Sequence, residues 1–519
     1  MAPADPEVST RAGRVRGRNE NGVAVFRGIP FAEPPVGQRR FQAPEPTAPW
    51  EGVRPATEFG PPSPQASAPE DPEDPETPED PEAPGNPETP AAPAATADPA
   101  AGWLTVNVWT PYPGADRLPV MVWIYGGAYM FGASAEPGYD GTPFAQAGAV
   151  FVSLNYRVGT EGFALLPGAP ANRGLLDAVA ALTWVKENIQ SFGGDPDNVT
   201  VFGESAGAGV IAAMLAMDRA RGLFKRAIAQ SVPGTFFARE LAEDIARAIA
   251  REAGLPNEFA ALAGADPMRL VNAQSTVAAR LKDFPQWGGV SLTITPFSPV
   301  IDGEVLPRSP WRALLGGAAS DVELLTGHNR DEYRLFIAAE GRLGKITDEE
   351  ATATLNAFAP GHDGPAAYRK AFPDADPSAL YELIFSDWLF RMPTLHLAQA
   401  HAASGGRTFL YELTARAPGG PFGACHALDV PLVFGRVGPG LGEAMFGPSL
   451  PAGFVTLGDT MRREWVSFAA TGDPGWSAYG TEHRTTRVYD LQPDVLSYPE
   501  ETSMHLWERH QFDALNLSA

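Results

Sequence analysis

Val199-Thr-Val-Phe-Gly-Glu-Ser-Ala-Gly-Ala-Gly209 is the stretch that decides the fold of this chain. Val199 to Phe202 are β-branched and aromatic, the composition of a buried strand. Gly203-Glu204-Ser205-Ala206-Gly207 follows, a G-x-S-x-G. The small, apolar run from Ala206 to Met217 has the composition of a helix. A strand, a tight turn and a helix, in that order, deliver a serine to the top of a sheet. The two glycines let the backbone turn sharply without Cβ clashes. The turn lifts Ser205 Oγ to a helix N-terminus, where backbone N–H groups and the helix dipole favour a developing anion. Ser205 is therefore the candidate nucleophile. The rest of the chain has to supply a base, an acid and an oxyanion hole.

Outward from this stretch, strand and helix signals alternate. Leu104-Thr-Val-Asn-Val-Trp, Pro119-Val-Met-Val-Trp-Ile-Tyr and Ala149-Val-Phe-Val-Ser-Leu-Asn-Tyr are apolar runs, the last two continuous enough for central strands. A helix is expected over 174–191 and a strand over 224–231. Residues 238–283 are Ala-rich and helical in character. Later strands are expected at Val322-Glu-Leu-Leu-Thr-Gly327 and Thr408-Phe-Leu-Tyr-Glu-Leu413, flanked by helices in 347–403 and 455–470. This order implies an α/β protein with a mostly parallel sheet covered on both faces. At the N-terminus, residues 8–30 alternate with Gly turns and suggest a short β meander.

One segment breaks the pattern. From 66 to 101 the chain is Pro-rich and acidic, with no aromatic, Lys or Arg, and it carries close to half of the net negative charge. It cannot bury apolar surface, so a disordered or extended insertion within a single domain is expected. A solvated surface loop is the plain reading, and a lid over the site is the sharper one. Elsewhere 44% of the 519 residues are hydrophobic, enough for a large core. No apolar run reaches the length of a membrane span, and the N-terminus has no secretory leader pattern. A single cysteine, Cys425, allows no internal disulfide. A cytoplasmic location is the expectation from these features. The net charge of −23 argues against nucleic-acid and anionic-membrane partners.

In chains with this strand–turn–helix element the order is nucleophile, acid, base. All eight histidines follow Ser205. His362 sits in a turn, His396 and His401 in a helix that reads as partly exposed, and His483, His505 and His510 in polar or C-terminal segments. His328 follows a strand and suits a structural hydrogen bond. His426, in the Gly-bounded loop Gly423-Ala-Cys-His-Ala-Leu-Asp-Val-Pro-Leu-Val-Phe-Gly435, is the candidate base. The loop after Leu325 offers Asp331 and Glu332 as the acid, and spacing does not separate them. Asp302 reads as a turn aspartate and Asp387 as helical. Tyr125-Gly-Gly-Ala-Tyr129, directly after a strand, has the close-approach glycines that an oxyanion loop needs.

Longer stretches carry a family likeness. They are Phe26-Arg-Gly-Ile-Pro-Phe-Ala-Glu-Pro-Pro-Val-Gly, Leu104-Thr-Val-Asn-Val-Trp-Thr-Pro, Met121-Val-Trp-Ile-Tyr-Gly-Gly-Ala, Asn172-Arg-Gly-Leu-Leu-Asp and Phe192-Gly-Gly-Asp-Pro-Asp-Asn-Val-Thr-Val-Phe-Gly-Glu-Ser-Ala-Gly-Ala. With them the chain resembles the type-B carboxylesterases of the α/β-hydrolase superfamily, and among these the bacterial para-nitrobenzyl-esterase-like enzymes. The resemblance implies one α/β-hydrolase domain over 1–519, with small N-terminal strands and inserted helical regions. It implies Ser205 as nucleophile, His426 as base and Glu332, not Asp331, as acid. It aligns Gly127, Ala128 and Ala206 with oxyanion amides, and gives Gly126, Glu204 and Ser231 supporting places. Tyr129, Phe131, Phe236, Phe237, Phe284, Trp287 and Phe297 fall in loops that border the substrate gorge of relatives.

The chain also departs from the family. Asp331-Glu332-Tyr333 replaces the usual Asp-Glu-Gly. Ala100-Ala-Gly-Trp103 stands where relatives often carry Ser-Glu-Asp-Cys, so the glutamate that pairs with an arginine near Arg40 is missing. Ser63 and Trp103 occupy the positions of the cholinesterase disulfide, and no case for choline recognition arises.

The expectation is two-step transfer of an acyl group from an apolar or aromatic ester to water. It needs no metal or organic cofactor, takes a small-molecule ester as partner, and is served by a monomer or weak homodimer. A carbamate, amide or lactone hydrolase using the same three residues is the alternative. A non-catalytic binding protein of the same fold is the remote one, disfavoured because every catalytic position is filled.

Overall fold

The computed structural model describes residues 5–66, 102–114 and 117–518. The acidic segment at 67–101, expected to be disordered, lies outside the described residues. The strands are β1 (Glu7–Ser9), β2 (Arg14–Arg16), β3 (Arg18–Glu20), β4 (Val23–Pro30), β5 (Val53–Pro55), β6 (Thr105–Thr110), β7 (Leu118–Ile124), β8 (Val150–Leu154), β9 (Gly194–Glu204), β10 (Arg226–Gln230), β11 (Phe237–Ala238), β12 (Val300–Ile301), β13 (Glu323–Asn329), β14 (Thr408–Leu413), β15 (Thr485–Tyr489) and β16 (Asp494–Ser497).

Among the described residues an eleven-stranded sheet runs in the order β16-β15-β14-β13-β10-β9-β7-β8-β6-β4-β3. Its middle, from β15 across to β8, is wholly parallel, and β16 at one edge and β6, β4 and β3 at the other are antiparallel. The central strands are apolar without alternation because helices cover both faces: Val120 to Ile124 and Val199 to Phe202 are all buried. The expected α/β class and the mostly parallel sheet are therefore present.

The N-terminal stretch is not one meander. β1 pairs with β2, which joins β5 in a separate three-stranded sheet, whereas β3 and β4 form the edge of the main sheet. The reason lies at Gly17, where a Cβ would sit 2.3 Å from the carbonyl of Val25 and 2.7 Å from the Phe26 ring, so the chain crosses close to β4 before pairing with it. In the helix holding His396 and His401, Met392–Ala403, His396 is half-buried as expected, whereas His401 has no exposed surface. No helix among the described residues is long and apolar enough to cross a membrane.

The Asn172-Arg-Gly-Leu-Leu-Asp motif opens the helix Arg173–Asn188, and its function is to tie the β8 side of the sheet together. Asp177 accepts from the Arg157 backbone N–H at 3.0 Å and from its guanidinium at 2.8 and 2.7 Å, with neither side chain exposed. Arg173 donates to the carbonyls of Thr160, Glu161 and Ala164 at 2.7–2.8 Å. Arg40, in the region where the sequence lacks a glutamate partner for an arginine, pairs with Glu161 at 2.6 Å. Glu161 lies in the short helix Gly159–Phe163 that follows β8.

Removing one partner of a buried pair leaves the other charge stranded. Asp177→Ala is expected to cost about 3–5 kcal/mol of stability on that basis. Breaking the exposed pair of Arg11 and Glu187 should leave the thermal midpoint within error. Differential scanning calorimetry of the two variants checks the contrast, and equal midpoints would refute it.

Candidate active site

Because the middle strands are parallel, their C-terminal ends lie along one edge of the sheet, where α/β folds place ligands. The order β7-β9-β10-β13-β14 brings five segments side by side. They are the loop after β7 with Gly126 to Tyr129, Ser205 after β9, Ser231 after β10, Glu332 after β13 and His426 in the loop that follows β14.

Ser205 has φ 55° and ψ −122° and directly precedes the helix Ala206–Leu215. An L residue holds such a conformation only when its surroundings over-determine it. Its N–H is fixed to the carbonyl of Gln230 at 3.0 Å. The flanking glycines serve close packing rather than the turn itself, which Ser205 makes. A Cβ at Gly203 or Gly207 would lie 2.4 or 2.0 Å from the carbonyl oxygen of Ile124. Ser205 is half-buried while the residues on both sides of it are buried, so the hydroxyl sits at the one opening in this stretch.

Glu332, and not Asp331, faces the histidine. His426 Nδ1 lies 2.6 Å from Glu332 Oε2. Glu332 Oε1 accepts from Ser231 Oγ at 2.6 Å and from the Asn329 N–H at 2.8 Å, so the fully buried carboxylate is held at both oxygens. Asp331 instead accepts from the Ala424 N–H at 2.9 Å and braces the loop that carries His426. Asn329 completes that brace by donating to the carbonyl of Cys425 at 2.7 Å.

The other face of the imidazole meets a second carboxylate. His426 Nε2 is 3.1 Å from Glu204 Oε1. The contact is an ion pair without hydrogen-bond alignment: both atoms lack a directional partner. Nε2 makes no hydrogen bond to Ser205 Oγ among the described residues, and catalytic contacts of this kind commonly tighten only with substrate bound. Burial opposes charge on His426, but Glu204 and Glu332 outweigh it and hold the imidazole up to about 9. Burial pushes the Glu204 carboxyl up to about 8 against the pull of His426. Phe390 stacks on the imidazole with ring centroids 4.1 Å apart, and Phe336 lies at 5.5 Å. Phe390 belongs to a π-helical turn, Asp387–Arg391, pinned by Tyr368 to Asp387 at 2.7 Å and Arg391 to Glu500 at 2.8 Å.

Gly126 lies against Ser205: a Cβ there would be 3.2 Å from Ser205 Cβ and 3.0 Å from the Glu204 carbonyl. Gly127 has φ 109°, and a Cβ would meet the Phe131 carbonyl at 2.2 Å. Among the described residues the N–H groups of Gly127, Ala128 and Ala206 meet no protein acceptor, which leaves all three open to a ligand oxygen. Gln65 holds the far end of this loop, bonding the N–H of Gly132 at 2.8 Å and its carbonyl at 3.0 Å.

The aromatic residues expected around the gorge divide. Phe131 is 51% exposed beside Gly127. Phe236 and Trp287 have no exposed surface and pack as core rather than as pocket wall. Phe236 meets Trp311 edge-on, and Trp287 stacks on Phe284 and donates to Asp244 at 2.8 Å. Phe237 is buried in β11, and Tyr129 is buried against Phe163. Periodicity does not distinguish a gorge aromatic from a core one. Phe390, Phe336 and Asn329 escaped the sequence reading because their partners are fixed only when distant loops meet. The remaining histidines are elsewhere. His328 bonds Tyr498 at 3.0 Å, and burial lowers it to about 4, a structural role as expected. Asp302 caps its own turn.

The chain is similar to known proteins over nearly its whole length. Residues 4–507 match the model of the carboxylesterase family. The para-nitrobenzyl esterase of Bacillus subtilis is 38% identical over 511 residues, covering 95% of this chain and 96% of that protein. The fumonisin B1 esterase of Sphingopyxis macrogoltabida is 35% identical over 95% of this chain and 87% of its own length. A Geobacillus stearothermophilus carboxylesterase structure superposes with a TM-score of 0.81 at 34% identity, covering 96% and 99% of the two chains. A PNB esterase structure gives 0.81 at 35% identity, covering 97% and 99%.

A base must be neutral to take a proton, so with His426 as the candidate base turnover is expected to climb with pH until the imidazolium is lost. Glu204→Gln removes a carboxylate 3.1 Å from Nε2 and lowers that pKa. The acid limb of kcat/KM for a para-nitrophenyl ester should therefore move to lower pH, by on the order of one unit. An unmoved limb would show that Glu204 does not set the ionisation of the base.

Proposed function

The chain belongs to the carboxylesterase family and hydrolyses carboxylic esters; we propose that it does so with Ser205 as nucleophile, His426 as general base and acid, and Glu332 as the orienting carboxylate. The observation that carries the assignment is the 2.6 Å contact of Glu332 with His426, in a loop that meets the strained turn at Ser205. His426 takes the proton of Ser205 as Oγ adds to the ester carbonyl. Glu332 keeps Nδ1 protonated and stabilises the imidazolium. The amides of Gly127, Ala128 and Ala206 receive the oxyanion, a direct donor of this kind contributing about 3 kcal/mol to the barrier reduction. His426 then gives the proton to the departing alkoxide. In the second half His426 takes a proton from a water that attacks the acyl-enzyme carbonyl, then returns it to Ser205 Oγ as the acyl–oxygen bond breaks, and the carboxylic acid leaves.

The preferred acyl group, in this reading, is apolar or aromatic and of short to medium length. Support comes from the apolar surroundings of the base, Phe390 and Phe336, and from Phe131 standing half-exposed beside the proposed oxyanion loop. An uncharged carbonyl substrate also suits a site whose carboxylates, Glu204 and Glu332, are both within 3.1 Å of His426.

Initial rates on para-nitrophenyl esters from acetate to laurate, with a benzoate and a matched anilide, test the assignment. Ser205→Ala should lose at least about a thousandfold in kcat with the fold intact, and should no longer be labelled by a fluorophosphonate. Full activity in that variant would remove Ser205 from the mechanism. A matched anilide turned over as fast as its ester would move the reading to amide hydrolysis.

A further inference from the structure

Ala128 and Tyr129 are consecutive non-glycine residues in the left-handed region, at φ 53° and 59°. Side chains adopt this conformation only where neighbours hold it. Within the loop, Met130 and Phe131 donate to the Gly127 carbonyl at 2.9 and 3.1 Å. From outside, Gly159 N–H donates to the Tyr129 carbonyl at 2.6 Å. The peptide between Ala128 and Tyr129 is held from outside by a side chain: Thr295 Oγ1 donates to the Ala128 carbonyl at 2.8 Å. The same hydroxyl accepts from the Phe297 N–H at 3.1 Å, which orients its proton toward Ala128. Thr295 lies 167 residues away in sequence, in the segment leading to β12.

We propose that Thr295 is a positioning residue of the oxyanion hole, its hydroxyl locking the Ala128–Tyr129 peptide so that the Ala128 N–H stays aimed at the reacting oxygen. The inference rests on the assignment of Gly127 and Ala128 as oxyanion donors. If the Thr295 bond is lost, this peptide can rotate and release Ala128 from the left-handed region, and the adjoining N–H turns with it. Rotation leaves the acyl and alcohol contacts of the ground state in place. It weakens only the bonds that strengthen as the carbonyl oxygen gains charge, so kcat falls and KM does not.

Thr295→Val keeps the shape and removes the donor, and Thr295→Ser restores it. Loss of a direct oxyanion donor costs a hundredfold or more, so loss of its support should cost less, about tenfold in kcat. KM should stay within about twofold. A trifluoromethyl ketone gives a second reading. Its carbonyl carbon takes the Ser205 oxygen, its own oxygen becomes an alkoxide in the hole, and the serine proton passes to His426. Its affinity for Thr295→Val should fall by the same factor as kcat. Thr295→Ser should recover most of both. Thr295→Ala, which cannot clash, should repeat the loss if the valine variant folds poorly. Wild-type kcat and inhibitor affinity in the valine and alanine variants, or a loss that serine does not repair, would overturn the proposal. Failure of the triad assignment shows separately: Ser205→Ala would stay active and would still be labelled by the fluorophosphonate, whatever Thr295 does.

Discussion

The conformation of Ser205 is the constraint on which the rest depends. A serine at φ 55°, ψ −122° is unfavourable by itself, and it persists because its neighbours leave no alternative. Behind it, β9 is buried on both faces between β7 and β10. Beside it, Gly203 and Gly207 let the Ile124 carbonyl approach to distances that no side chain tolerates. Beyond it, the apolar helix Ala206–Leu215 packs along its whole length, every residue buried. Strain at one residue is balanced by burial of the strand and helix that flank it, and the reward is a hydroxyl presented at the edge of a rigid sheet.

Electrostatics organise the second layer. His426 stands between two carboxylates, one hydrogen-bonded to Nδ1 and one close to Nε2. Glu332 is satisfied at both oxygens by Ser231, Asn329 and the imidazole, so its charge is fixed in place. Glu204 has no such support at Oε1, and burial raises its pKa. The two carboxylates are therefore not equivalent: Glu332 is hydrogen-bonded at both oxygens, and Glu204 is buried with Oε1 unsatisfied. Aromatic rings of Phe390 and Phe336 close the remaining sides and keep water from screening the cluster.

Loops rather than strands bring these groups to final register, and each loop is tied from a distance. Asp331 holds the His426 loop through Ala424, Gln65 holds the loop after β7 through Gly132, and Thr295 reaches the Ala128 carbonyl. The buried pair of Arg157 and Asp177 fixes the loop after β8, which in turn supplies the Gly159 N–H to Tyr129. Departures from the family pattern are absorbed the same way. Tyr333, in place of a glycine after Glu332, is buried and stacks on Phe385, and Glu161 pairs with Arg40.

Much of the molecule was legible in the sequence. Continuous apolar runs marked the central strands, because a parallel sheet buried on both faces cannot alternate. The G-x-S-x-G marked the turn, because only small residues pass the Ile124 carbonyl. Resemblance to the carboxylesterases preferred Glu332 to Asp331, and Glu332 is the one in contact with His426; spacing alone could not choose, because adjacent carboxylates differ only in the direction the turn gives them. What the sequence determined by itself is local: strand, turn, helix, and which residue types have the chemistry. Tertiary structure alone decided which aromatic residues are core, as Phe236 and Trp287 are, and which pack on His426, as Phe390 does. It alone set Glu204 against His426, split the N-terminal strands between two sheets and brought Thr295 to Ala128. Those relations join segments far apart in the chain, and their geometry exists only once the sheet has aligned the strand ends.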